Sequence, residues 1–260
     1  MDASPAVAHA LGILGALAAG AGPQSAAALG RGLSIPRSTT YRILATMADA
    51  GYAVHVPGAG YSLGPAAHEL AWAYQRQAPL QRVAGPLLSA LADKVGHNAH
   101  LSMLRGNDVL YVIEERVKGR PWLVADVGVR LPAELTASGH AMLAHLSNAQ
   151  ISALYPTKDV LVGRNTDGPK TVSELRRRLA QVRVAGYATE SGLVTPGLDS
   201  VAVAVLDRVR HPLAAVAVTY PSNTPAPEVA RVVEHVRRAA ASIAGRLDLR
   251  RAASAPESQI

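Results

Sequence analysis

Val7, Leu11, Leu14 and Ala18 recur at helical spacing and predict a helix over residues 5–19. Gly20, Gly22 and Pro23 stop it. A short helix is expected over 25–31, with Gly30 and Gly32 bracketing a tight turn. A longer helix follows over 36–50. Tyr41, Leu44 and Met47, with Ile43 beside them, give this third helix one apolar face, and Arg37, Ser38, Thr39 and Arg42 give it a polar one. Pro36 suits its first turn, Ser34 is placed to cap it, and Gly51 ends it. Residues 52–56 and 61–63 flank Pro57-Gly58-Ala59-Gly60 and predict a small hairpin. Helix, short helix, turn, longer helix and hairpin is the order of a winged helix-turn-helix.

The pattern changes after a further helix over 65–77, which carries Leu70, Trp72 and Tyr74 and is broken by Pro79. Beyond it, helices are expected over 80–95, 138–146, 150–155, 171–184 and 225–249. Strands are expected over 100–105, 109–115, 122–127, 187–191, 201–206 and 213–220, the last two apolar enough to be central. Residues 156–170 read as a loop. The fold class is therefore α+β: a winged helix-turn-helix over 1–64, a linker helix over 65–78, a mixed α/β domain over 79–249 and a disordered tail over 250–260.

Composition adds bounds. The 260 residues are enough for one large or two ordinary domains, and at 49% hydrophobic they can build a core. With no cysteine, disulfides and thiol chemistry are excluded. No apolar run reaches, without interruption, the roughly 18 residues of a membrane span. The apolar stretch 6–21 lacks a basic flank and holds His9, which argues against a signal peptide. A cytoplasmic protein is expected. The formal charge is +7, but residues 1–63 hold only three arginines against two aspartates. The excess lies in Arg176-Arg177-Arg178 and among the late arginines, where solvated helix faces explain it as well as nucleic acid does.

Taken together these residues resemble the IclR family of bacterial transcription regulators over nearly the whole chain. The N-terminal likeness runs from Ile35 to Leu44, with Gly51-Tyr52 and Tyr61-Ser62-Leu63-Gly64. The C-terminal likeness lies in Leu131-Pro132 through Thr136–Ala144, in Val184–Ala188, and in Gly197-Leu198 with Ser200–Val205 and Ala214–Val218. The resemblance implies a winged helix that binds double-stranded, pseudopalindromic operator DNA. It also implies dimer contacts through the linker helix and winged-helix domain, and a GAF-like sensor domain that binds a small metabolite and forms dimers or tetramers. No cofactor is implied.

For DNA contact the candidates are Ser34, Arg37, Ser38, Thr39, Thr40, Tyr41, Arg42 and His55. Thr39 and Thr40 serve equally as local packing residues, Tyr41 as half core, and Arg42 as a brace. His55 would reach phosphate from the wing. For the effector, Thr136, Ala137, Ser138 and Gly139 enter a helix whose free amides suit a carboxylate, although an ordinary Ser-capped helix start explains them too. The resemblance places Glu190, Ser200, Ala217 and Thr219 at the pocket. Ala217 lacks the small polar group that many relatives carry, and Glu190 is a longer acid, so the pocket is expected to differ from one for the smallest keto acids. Met103, Leu104, Leu123 and Met142 are candidates for its apolar side, or plain core.

Other chemistry finds little support. In Gly168-Pro169-Lys170-Thr171, Pro169 stands where a P-loop needs glycine amides. His97/His100 and His140/His145 have poor spacing for a metal pair, and no metal site is expected. No GxSxG occurs, and Ser138 with His140 makes no poised nucleophile by spacing alone. The expected function is a ligand-responsive DNA-binding regulator, more specifically a repressor, with a small organic acid or aromatic carboxylate as effector. A regulator acting through protein contacts, or a small-molecule hydrolase, are the alternatives.

Overall fold

The computed structural model describes residues 4–77, 79–119, 126–157, 160–161 and 168–253. The chain divides into two compact units, residues 1–78 and 79–260.

In the first unit, α1 (Pro5–Ala19), α2 (Ala26–Gly32) and α3 (Arg37–Asp49) pack around Ile13, Leu17, Leu29, Ile35, Leu44 and Met47. Ser25 caps α2 by accepting from the Ala28 amide at 3.2 Å. The stripe that helical spacing picks out on α1 is not the one that faces the core. Ile13 and Leu17 are buried, whereas Val7 and Leu11 are 57% and 62% exposed. Nearly every position of α1 is apolar, so periodicity alone cannot select a face. Strands β1 (Ala53–Val56) and β2 (Gly60–Leu63) form the expected hairpin, with Ala53 opposite Leu63 and Val56 opposite Gly60. Gln24 and Tyr61 exchange two backbone bonds of 2.8 Å and tie the hairpin back to the start of α2. Gly60, at φ 118°, lies so close to the Gln24 backbone that no Cβ fits. Helix α4 (Pro65–Gln77) completes the unit.

The second unit is a six-stranded antiparallel sheet in the order β5-β4-β3-β8-β7-β6. Its strands are β3 (Asn98–Arg105), β4 (Asp108–Glu115), β5 (Arg130–Pro132), β6 (Ala188–Ser191), β7 (Leu198–Leu206) and β8 (Pro212–Pro221). Side chains alternate across it with period two. On one face, Leu101, Val201, Val205, Val216 and Val218 pack under α5 (Pro79–Val95) and α9 (Ala226–Ala253). On the other, Ala202, Ala215 and Ala217 lie under α6 (Ala137–Leu143), with α7 (Asn148–Leu154) and α8 (Val172–Ala185) beside it. Bulk on one face carries two long helices, and alanine on the other lets a short helix come close.

Three differences from the sequence reading bear on the site. β5 and the 3-10 turn over Ala133–Leu135 were not foreseen, being only three residues each. Helix α6 begins at Ala137 and is capped by Thr136, whose hydroxyl accepts from the Gly139 amide at 2.9 Å. Helix α9 continues to Ala253, into the expected tail. The strand expected over 122–127 falls mostly outside the described residues, as does much of the 156–170 loop. No helix among the described residues is long and apolar enough to cross a membrane.

The turn before α6 is fixed by buried polar groups. Tyr155 donates its hydroxyl to the fully buried Glu134 carboxylate at 3.1 Å, and the His140 ring N–H donates to the Glu134 carbonyl at 2.7 Å. Gly139 sits directly against the Ala133 backbone, where a Cβ would collide. Gly139→Ala is expected to destabilise the second unit by about 1–3 kcal/mol, read as a lower unfolding midpoint. An unchanged midpoint would contradict this packing.

Candidate functional site

Two sites emerge, one in each unit. In the first, the start of α3 is open to solvent. Arg37, Ser38 and Arg42 are exposed, Thr39 is half-buried, and Tyr41 is 44% exposed. The Arg37 guanidinium lies 5.8 Å from the centre of the Tyr41 ring, so Tyr41 belongs to the outer face with Arg37 and not to the core. Thr40 is a correction: it is fully buried and donates its hydroxyl to the Pro36 carbonyl at 3.1 Å. It turns inward because it falls one turn before Leu44 on the core side of the helix. Ser34 is another. Its backbone is left-handed, at φ 55°, and Pro36 occupies the cap position of α3 without a side-chain bond. Ser34 is exposed but closes the turn after α2 through its amide bond to Arg31. His55 is exposed on β1, its ring 5.0 Å from that of Tyr61.

In the second unit a cavity opens where the alanine stripe gives way to polar residues. Glu190, Ser200 and Thr219 lie opposite one another across β6, β7 and β8. The Ser200 hydroxyl is 3.1 Å from the Glu190 carboxylate and 3.0 Å from the Thr219 hydroxyl. The Leu193 amide donates to the same carboxylate at 3.0 Å. Burial pushes the Glu190 carboxyl above the usual carboxylate range, against the pull of these donors. Thr136, Ala137 and Ser138 enter from the start of α6, and Ala217 lies between the two sides. The amides of Ala137 and Ser138 make no hydrogen bond within the described residues. The free volume is about 20 Å3, room for a water or two.

His100 and Tyr111, with Val194, Thr195 and Leu198, also line the cavity and were not foreseen. Burial, then the Glu190 charge, drive the pKa of the Tyr111 hydroxyl up, against the pull of the Ser138 side chain. His100 is buried with neither ring nitrogen partnered, edge-on to Tyr111 at 5.8 Å. Burial, then the charge of Arg116, lowers its pKa to about 4. A signal for His100 existed: His100 and Ser102 alternate with Leu101 and Met103, marking a polar face on a buried strand.

The same alternation removes Met103, which packs on the valine face under α5 and α9. Leu104 and Met142 belong to the core on the α6 side, away from the cavity. Gly139 is also excluded, since its amide is taken by Thr136 and its α-carbon faces Ala133. Leu123 lies outside the described residues. Among those residues no group of three His, Asp or Glu could hold a metal ion.

A helix-turn-helix with a β-hairpin wing, followed by a mixed α/β unit with a buried polar cavity, defines a class of bacterial transcription regulators. Residues 6–57 match the IclR helix-turn-helix domain, and residues 72–245 match the bacterial transcriptional regulator IclR C-terminal domain. The chain belongs to the IclR family. It is 32% identical over 186 residues to the Pca regulon regulatory protein of Pseudomonas putida, across 71% of this chain and 63% of that protein. It is 27% identical over 249 residues to the transcriptional repressor AllR of Klebsiella pneumoniae, across 92% of this chain and 89% of that one. The fold superposes with a TM-score of 0.81 on an IclR homolog from Microbacterium hydrocarbonoxydans complexed with 4-hydroxybenzoate, at 24% identity, over 94% of this chain and 99% of that one. The homologues are transcriptional regulators, not enzymes.

The buried imidazole sets a pH dependence. An unfolded histidine takes a proton near its ordinary pKa of about 6.5, whereas folded His100 refuses it until about 4. Between those values the unfolded chain binds more protons, so stability falls as the pH drops through that window. His100→Phe should flatten this part of the profile in urea unfolding at pH 7, 6 and 5. An identical slope in the variant would contradict the assignment.

Proposed function

We propose that the protein is a cytoplasmic, effector-controlled repressor. A homodimer or dimer of dimers would place two winged helices on a pseudopalindromic operator, and a carboxylate-bearing metabolite in the cavity of the second unit would change operator affinity. The observation that carries this reading is the cavity itself. It is a buried polar site, built from five strands and a helix start, that no catalytic constellation uses. Its unbonded Ala137 and Ser138 amides suit a carboxylate, while Glu190 suits a donor at the ligand's other end. The 4-hydroxybenzoate bound by the Microbacterium homolog supports an aromatic or small organic acid of this kind. Exposed Val7, Leu11 and Leu70 on α1 and α4 support self-association through the first unit.

On the DNA side, Arg37, Ser38, Thr39, Tyr41 and Arg42 face the groove, and His55 lies near the backbone. Differential affinity of the effector for two arrangements of the dimer shifts the spacing of the winged helices. A tight cavity that must part to admit a metabolite gives that shift a physical origin.

Two contrasts test the reading by fluorescence anisotropy on operator DNA. Arg37→Ala should weaken binding about tenfold, whereas Thr40→Val should leave affinity intact and cost about 1 kcal/mol of stability; the reverse outcome would reassign the contact face. In a panel of carboxylates that includes 4-hydroxybenzoate, at least one should shift wild-type affinity by about fivefold or more. Ser138→Pro, which removes an amide donor, should abolish that shift while DNA binding persists. A response that survives it in a folded protein would move the effector site elsewhere.

A further inference from the structure

We propose that the second unit carries another ligand site, for a phosphate group, in the cleft where His145, Arg183 and Arg210 meet. These three side chains line two adjoining hollows of about 230 and 600 Å3. Neither hollow shares a residue with the Glu190 cavity, and no carboxylate lines either. The inner wall is apolar, with Tyr187, Val203 and Leu206.

Each basic group is placed by something specific. Arg183 donates from Nε to the Ala144 carbonyl and from Nη2 to the Leu146 carbonyl. These bonds hold the guanidinium at the C-terminal end of α6 and leave three of its five N–H donors over. Arg210 has no side-chain partner among the described residues. The nearest acid in sequence, Asp207, accepts instead from the Val209 and His211 amides at 3.0 and 2.8 Å. Arg210 also stands at φ 62°, in the hairpin between β7 and β8. Glycine is the usual residue for that conformation, and a bulky residue there is strained. A long cation is thus held where backbone chemistry favours no side chain at all.

His145 is half-buried, and burial, followed by the charges of Arg210 and Arg183, lowers its pKa. The cleft therefore holds positive potential that no lining acid offsets. Two guanidinium groups and an imidazole suit an anion with three acceptor oxygens, and a tetrahedral phosphate supplies them. The apolar wall leaves space for an organic body on the fourth oxygen.

The test is thermal unfolding of the full-length protein in sodium phosphate against sodium chloride at matched ionic strength, so that general screening cancels. Wild type should show a saturating rise in melting temperature with phosphate. Arg210→Gly keeps the turn, relieves its strain and removes the charge; it should be at least as stable in chloride and lose most of the phosphate response. Arg37→Ala, which alters the other basic site, should keep it. Phenyl phosphate in place of phosphate distinguishes the sources: tighter binding assigns an organic phosphate using the Tyr187 wall, and equal binding assigns the free ion. No response in wild type, or an equal response in Arg210→Gly, would overturn the proposal.

Discussion

The second unit depends on the unequal faces of β7 and β8. Valines at 201, 203, 205, 216 and 218 point one way, and alanines at 202, 204, 215 and 217 point the other. The valine face needs the long helices α5 and α9 to cover it. The alanine face is shallow, so α6 sinks toward the sheet, and only a glycine at 139 lets the preceding turn fold against it. Substituting bulk into the alanine stripe would lift α6 and separate the helix start from the polar ends of the strands.

The cavity follows from that approach. At its end the small-residue stripe becomes polar, as Ser200 and Thr219 extend the rows of Ala202 and Ala217 by one alternate step. Glu190 joins them from the edge strand. The first two amides of α6 are brought to this row by a short helix whose leading turn is bonded through Thr136, Glu134, His140 and Tyr155. The polar groups are mostly satisfied by one another. The Ala137 and Ser138 amides and His100 are the exceptions, and burying both ring nitrogens of His100 unpartnered carries a cost of the kind found at ligand sites.

Much of this was legible in the sequence, for identifiable reasons. Helices ended by glycine breakers, such as α1 at Gly20 and α3 at Gly51, and the Gly-rich hairpin carried their own punctuation. The strands β7 and β8 were marked as internal by their apolar runs. What failed did so where local pattern carries no information. On α1, apolar residues all round gave no preferred face. On α3, Thr40 and Thr39 are chemically alike and only the phase of the helix separates the buried one from its neighbour. Met103 was a reasonable apolar lining candidate until the sheet pairing placed His100 on the cavity side. The three-residue elements β5 and Ala133–Leu135 exist because of their tertiary partners and leave no periodic trace. For Thr136, Ser138, Glu190, Ser200, Ala217 and Thr219, the gathering into one cavity came from family likeness, not from spacing.

The most direct measurement is a gel shift of the purified protein on the intergenic DNA beside its own gene, against a scrambled duplex of equal length, at low and near-physiological salt. Nonspecific attraction through phosphates fades steeply with salt, whereas base contacts retain selectivity. A regulator built as described should retain the intergenic duplex at the higher salt and release the scrambled one. Equal, salt-labile binding to both would contradict it.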